Sequence, residues 1–304
     1  MGRMHDLCIC PNYYNKKVAE GKTREKNMEV IIYLLIFIMG TFFGSFFTLA
    51  TYRMPIGENI TYKQSFCPNC KHKLGIWDLI PIFSYVFLGG KCRYCKQPIK
   101  IRYLLFEVLS GFVFLLFALS LRIDLYQMQK GQIICFVFGI LYLVSLFLIA
   151  GIDKETNKIQ CSVLLYGLVV VTCYILYLYI VQHINIYRYV IYLVIMLVLV
   201  LADTITLRKK AESNYTIQIL TLCIYLVLFS GEQAFVLTVA FTLLLIAIQL
   251  IVHNIKAKKQ KIQSEKISKL VNKKQYYIPI GFYLCASNIF VILLAGFFCN
   301  YILY

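Results

Sequence analysis

The sequence predicts an all-α polytopic membrane protein of about eight transmembrane helices, with a cytoplasmic loop of four zinc-binding cysteines between the first two. Three observations carry that expectation. Of 304 residues, 60% are hydrophobic and only 15% charged, with a mean hydropathy of +0.73, a balance soluble domains rarely tolerate. Apolar runs recur near the length needed to cross a bilayer, about 20 residues. Two C-x-x-C pairs, Cys67/Cys70 and Cys92/Cys95, stand together in the longest polar loop between such runs.

The runs fall at 30–51, 103–121, 133–152, 162–181, 189–206, 217–230, 233–252 and 278–302. The sixth is short and is expected to draw residues from its flanks. Segment 253–276 reads as a basic linker. The first 27 residues are polar and mixed in charge, unlike a cleavable signal peptide. Met28 opens directly onto the first span, so residues 1–27 read as a polar tail or a misassigned start.

Net charge is +17, from 31 Lys+Arg against 14 Asp+Glu. Nucleic-acid binding is one reading of such a charge, and positive-inside loops are the other. The basic residues are distributed between the apolar runs instead of forming one polar domain, which favours the membrane and argues against nucleic acid. With the cysteine loop 52–102 inside, the inside loops carry 9, 2, 3 and 8 Lys+Arg and the outside loops 2, 1 and 0. The cysteine loop is therefore expected in the cytoplasm, with basic loops facing lipid headgroups.

Two C-x-x-C pairs suit tetrahedral zinc, each pair turning both sulfurs toward one ion and an intervening hairpin bringing the pairs together. Two disulfides would need an oxidising compartment, and redox chemistry would need only one pair. With Cys67, Cys70, Cys92 and Cys95 all supplying sulfur, no coordination position is left for catalysis, so the metal is expected to fold the loop. His72 then reads as a surface residue. The remaining cysteines lie in the tail or in and beside spans, and are given no role.

The flanks of the pairs carry more information. Gly44 and Ser45 permit close helix approach within a membrane. Arg53, Arg102 and Glu107 bracket the loop at its membrane ends, where an Arg–Glu107 clamp is expected to offset the cost of an acid inside a span. Three stretches stand around the pairs: Gly44, Ser45, Phe46, Tyr52, Arg53 and Pro55; then Asp78, Pro81, Ser84 and Tyr85; then Arg102, Tyr103 and Glu107. With the cysteines, they closely resemble the N-terminal module of the type IV prepilin leader peptidases, a family of bacterial membrane aspartic peptidases. Thr48 departs from the Asn usual in that family. On this resemblance residues 28–111 form the prepilin-peptidase module and 112–304 a transmembrane peptidase-like domain.

The resemblance implies two catalytic aspartates, and the chain has only five Asp in all. Asp153, in GIDKETNKIQ at the cytoplasmic end of the third span, matches the family's first catalytic position, although Glu155, Gln160 and Cys161 replace neighbouring family residues. The family's second Asp stands in G-x-G-D, which this chain lacks; Ser213-Asn214-Tyr215-Thr216 occupy that place. Asp203, at the cytoplasmic end of the fifth span, is the weaker candidate for the second carboxylate, followed by Glu212. Ile278-Pro279-Ile280-Gly281-Phe282 is similar to the family's opening of the last span.

What the resemblance implies is cleavage of the basic leader of prepilins or pseudopilins at the cytoplasmic face of the bacterial inner membrane. It also implies N-methylation of the new N-terminus using S-adenosylmethionine. The competing reading is a catalytically inactive homologue that binds pilins as a membrane scaffold. A transporter would call for several charges in mid-membrane, where Glu107 is the one deeply placed acid.

Overall fold

Among the described residues, eight long helices coincide with the eight apolar runs, and a short ninth lies in the cysteine loop. The computed structural model describes residues 24–60, 64–121, 130–183, 186–210, 214–264 and 278–302. In chain order the helices are α1 (Arg24–Arg53), α2 (Phe83–Phe87), α3 (Arg102–Ser120), α4 (Lys130–Thr156), α5 (Cys161–Gln182), α6 (Tyr187–Lys210), α7 (Tyr215–Ser230), α8 (Glu232–Ser264) and α9 (Ile280–Ile302). Apart from α2 and α7, all are long and apolar enough to cross a membrane, which makes this a multi-pass membrane protein. The described residues contain no strand, only two isolated bridges in the cysteine loop.

Several boundaries differ from expectation. Helix α1 begins at Arg24, taking in the end of the anticipated tail; residues 1–23 of that tail lie outside the described residues. The sixth run gains only Tyr215 and Thr216 at its start and stops at Gly231, whose φ of 83° breaks the helix. Its 16 residues span about 24 Å, short of the ~30 Å hydrocarbon core. This is tolerated because α7 packs against α5, α6, α8 and α9 and does not meet lipid on every side. The linker expected at 253–276 is helical through Ser264, as α8 runs on beyond its apolar part.

Helix α4 is the axis of the bundle: 67% of its most apolar stretch is buried, against 11% for α8. Its inward residues Tyr142, Leu143, Leu146, Ile149 and Ile152 are almost fully enclosed. Neutral polar contacts join the helices at its middle. The Tyr142 hydroxyl donates to Asn288 Oδ1 (2.8 Å), while Asn288 Nδ2 donates to Ser230 Oγ (3.2 Å) and Thr238 Oγ1 (3.1 Å). The Tyr142 ring also stacks on Phe229 at 3.8 Å. Where water is absent, such bonds between helices replace hydrophobic driving force.

Helices α1 and α3 pack most closely, through the small residues the sequence displays. A Cβ on Gly44 would stand 2.2 Å from Ser110 Oγ and 2.7 Å from Glu107 Cα. One turn away, Ser110 Oγ donates to the Gly40 carbonyl at 2.8 Å. The close approach expected of Gly44-Ser45 is therefore present. It places the two ends of the cysteine loop, at Arg53 and Arg102, side by side.

Candidate functional site

The cysteine loop is built from two similar knuckles. In the first, Cys67 N–H donates to the His72 carbonyl and Lys71 N–H to the Cys67 carbonyl; in the second, Cys92 N–H donates to Gln97 and Lys96 N–H to Cys92. In each, the lysine after the second cysteine takes a left-handed φ of 59°, which turns the chain back beneath the sulfurs. That conformation disfavours a residue with a side chain, so the knuckle hydrogen bonds must enforce it. Bridges Phe66–Lys73 and Lys91–Pro98 close the two turns. The segment between them is not the expected hairpin but a short 3-10 turn, Ile76–Asp78, followed by α2.

All four sulfurs lie within 4.8 Å of one another, and the Cys67 and Cys95 sulfurs are 3.8 Å apart. Sulfurs at the corners of a tetrahedron around zinc, about 2.3 Å from the ion, stand about 3.8 Å apart. The four cysteines are free thiols, converging on one point as a single metal ion requires. The Cys95 and Tyr94 backbone N–H groups lower the Cys92 thiol to about 7. At Cys95 the Gln97 N–H acts in the same direction, but burial and the sulfurs of Cys92, Cys70 and Cys67 prevail and push it up to about 11. The sulfurs thus compete for protons that a bound cation would displace. His72 is exposed and lies against Tyr94 across the knuckles, with ring centroids 3.6 Å apart and planes tilted by 35°. Asp78 ties the linking turn to the second knuckle through Arg93 Nε (2.6 Å).

At the membrane ends of the loop the expected Arg–Glu107 clamp is absent. Glu107 Oε2 instead accepts the Ile82 N–H at 2.8 Å, and Arg102 pairs with Glu155 at 2.5 Å. Arg53, nearly fully buried, donates to the carbonyls of Asn59, Ile60 and Gln64. The two arginines are engaged elsewhere: Arg53 with loop carbonyls and Arg102 with the end of α4.

The Arg102–Glu155 pair leads directly to the carboxylates. Asp153 lies two residues before Glu155 on the last turn of α4, fully buried. Its helix ends where Asn157 takes a left-handed φ of 51° and returns its N–H to the Asp153 carbonyl, a common C-terminal stop. The side chain points at the start of α9, where Oδ2 accepts the Phe282 N–H at 2.8 Å. The first N–H groups of a helix lack partners within it and favour a carboxylate. Gly281 makes the approach possible, since a Cβ there would stand 3.1 Å from Asp153 Oδ2. The Tyr215 hydroxyl, on the first turn of α7, accepts the N–H groups of Ile280 (3.0 Å) and Gly281 (3.4 Å) and faces the Asp153 carboxylate. Asp153 Oδ1 is buried with no hydrogen-bond partner among the described residues.

Asp203 is also buried, on α6. Its Oδ2 accepts from Gln218 Nε2 at 3.0 Å and its Oδ1 from Asn214 N–H at 3.4 Å. Gln218 Oε1 in turn accepts the Ile159 N–H at 3.0 Å, from the turn that follows Asp153. Tyr215 and Gln218, three residues apart on one face of α7, therefore link to Asp153 and to Asp203 respectively. Thr216, which stands where the aspartate of G-x-G-D would fall, is exposed. Glu212 lies outside the described residues. Tyr215 and Gln218 were missed; a lone glutamine three residues after a tyrosine in an otherwise apolar helix was the available signal.

The fold and these two sites define a helical membrane protein with a four-cysteine cluster that could hold a metal ion, and two buried aspartates. Residues 38–121 match the Bacterial Peptidase A24 N-terminal domain. The chain is 35% identical over 128 residues to a prepilin leader peptidase/N-methyltransferase of Klebsiella pneumoniae, a match covering 40% of this chain and 52% of that protein. It is 37% identical over 81 residues to the protein of that name from Myxococcus xanthus, covering 27% and 24%, and 36% identical over 80 residues to that from Bacillus subtilis, covering 26% and 32%. The chain spans about half the length of the Klebsiella relative and less of the other two. No solved structure matches. Over the matched residues, the chain is similar to the prepilin leader peptidase/N-methyltransferases.

Proposed function

We propose that this chain removes the basic leader peptide of prepilin-like proteins at the cytoplasmic face of the bacterial inner membrane, with Asp153 and Asp203 as its catalytic carboxylates. The observation that carries the reading is Asp153 itself: buried, held on one oxygen by the start of α9, and with the other oxygen free of any donor among the described residues. An aspartic peptidase needs one carboxylate to take a proton from water and another, protonated, to give one to the leaving amine. The water oxygen adds to the carbonyl carbon of the scissile bond, the C–N bond breaks, and the new amine carries away the donated proton. In this reading Tyr215 and the Phe282 N–H orient Asp153, while Gln218 and the Asn214 N–H orient Asp203.

The module at 28–111 supplies the other half of the proposal. Four sulfurs at tetrahedral spacing suit zinc, which would hold the two knuckles together and take no part in hydrolysis. The Arg102–Glu155 pair fastens this module to the helix bearing Asp153, so a leader bound against the loop would lie near the carboxylates. The methyl transfer named in the relatives would draw on S-adenosylmethionine; no donor set among the described residues singles out a site for it, and no residue is assigned to it.

A second reading, an inactive pilin-binding scaffold, is favoured by one observation: both oxygens of Asp203 already receive hydrogen bonds, and no G-x-G-D is present to supply another aspartate. Membranes containing the unmodified chain and a prepilin with a basic leader distinguish the two. Loss of the leader, seen by mass, supports the peptidase. Prepilin that stays intact while co-purifying with the chain supports the scaffold.

A further inference from the structure

Between the knuckles, the cysteine loop exposes an apolar surface that zinc binding does not explain. Trp77 is 77% exposed, Ile76 85% and Phe87 83%, with Phe83 and Val86 also open. Phe83, Val86 and Phe87 share one face of α2 at i, i+3 and i+4, and the rings of Phe83 and Phe87 stack at 6.3 Å. The opposite face is occupied: Tyr85 reaches back to the Ile99 carbonyl (3.4 Å) and lies against Gly90. The turn bearing Ile76 and Trp77 packs on α2. An exposed apolar surface of this kind marks a binding face.

The position of this surface identifies what covers it. Glu107 lies five residues into α3, about 7 Å along the helix axis from Arg102, and its side chain leans back toward the start of α3. Its carboxylate holds the Ile82 N–H at 2.8 Å. Ile82 is itself constrained, with φ 62° and ψ −54°, in a tight turn closed by Phe83 N–H to the Pro81 carbonyl, a conformation a β-branched residue seldom adopts. Pro81–Phe87 is therefore held beside the first turns of a membrane-spanning helix. The neighbouring residues Ile101, just before α3, Leu105 on α3 and Tyr52 at the end of α1 are also exposed. Lys91 and Arg93, exposed on the second knuckle, complement anionic headgroups.

We infer that the segment Ile76–Phe87 is an interfacial anchor, seated with Trp77 and the Phe83/Val86/Phe87 face in the headgroup–acyl boundary of the membrane on the cysteine-loop side. Such elements lie at about 5–10 Å depth, and tryptophan prefers that zone. The cysteine module is then held at both spans and also by a third attachment between its knuckles, which fixes its height over the bilayer.

Trp77 is the single tryptophan of the chain, so emission excited at the red edge, where tyrosine does not absorb, reports on this segment alone. The chain is reconstituted in phosphatidylcholine/phosphatidylglycerol vesicles with the loop outward, and emission is quenched either by lipids brominated on the acyl chain near the headgroup or by aqueous iodide. The anchor predicts that brominated lipid removes most of the emission while iodide removes little. The pair Trp77→Phe with Phe87→Trp, moving the reporter to α2, should behave alike. Iodide quenching that equals or exceeds lipid quenching in both proteins overturns the inference, including the case where a protein partner later shields the site. The readout does not depend on peptidase activity, so it stands or falls apart from the proposed function.

Discussion

The cysteine loop gathers its four sulfurs from residues 67–95, within two local turns of nearly identical hydrogen bonding. The carboxylate end draws Asp153, Asp203, Tyr215, Gln218 and the Phe282 N–H from α4, α6, α7 and α9, across residues 153–282. The first region is local enough to form around a single metal ion. The second exists only when the whole bundle is packed, because Asp153 Oδ2 takes its donor from α9 and Asp203 Oδ2 takes its donor from α7. A locally encoded site keeps a recognisable motif, whereas one assembled from distant helices can retain its geometry after its motif has gone.

Breaking the local region should have the largest effect. Cys67→Ser with Cys92→Ser should abolish stoichiometric zinc in the purified chain and open residues 65–99 to limited proteolysis, while the spans stay folded. Metal content and fragment masses check both, and a chain that never holds metal would refute the zinc assignment. Next comes the close approach that sets the loop's two ends together. Gly44→Leu drives a side chain into Ser110 and the α3 backbone and should cost about 3 kcal/mol, read as a lowered midpoint in thermal unfolding in detergent.

In the distributed region, Gln218→Leu removes the acceptor of Ile159 N–H and a donor to Asp203 at once. Leaving both groups buried and unpaired should cost about 2 kcal/mol, and leader cleavage should fall more than stability does. The link between regions is weakest. Arg102→Gln breaks an ion pair whose side chains are 39% and 50% exposed, so the loss should stay below about 1 kcal/mol and vanish in high salt.

This contrast also explains what could be read from the sequence. The spans were visible because each is a continuous apolar run, and the metal site because its ligands lie in two four-residue motifs. Gly44 was readable because small residues between apolar ones imply a close neighbour. The partners of Glu107 and Arg102 were not. A carboxylate in a span signals that a donor exists, but Ile82 is a backbone N–H in a strained turn and Glu155 sits on another helix, and neither leaves a pattern in the residue types. Tyr215 and Gln218 were hidden for a related reason: aligning to a lost motif directs attention to Thr216, whereas helical periodicity alone decides which residues of α7 face inward. The membrane placement of Trp77 likewise depends on the Glu107 contact, not on local hydropathy.

The most direct test of the account is the rate of leader cleavage by Asp153→Asn in vesicles. Asparagine keeps an oxygen for the Phe282 N–H, so zinc content and Trp77 emission should match the unmodified chain. Catalysis by a positioned carboxylate is worth on the order of 10³-fold, and a loss of that size, with the fold intact, is the predicted result. Cleavage within a few-fold of the unmodified chain would contradict the account and move the chemistry away from Asp153.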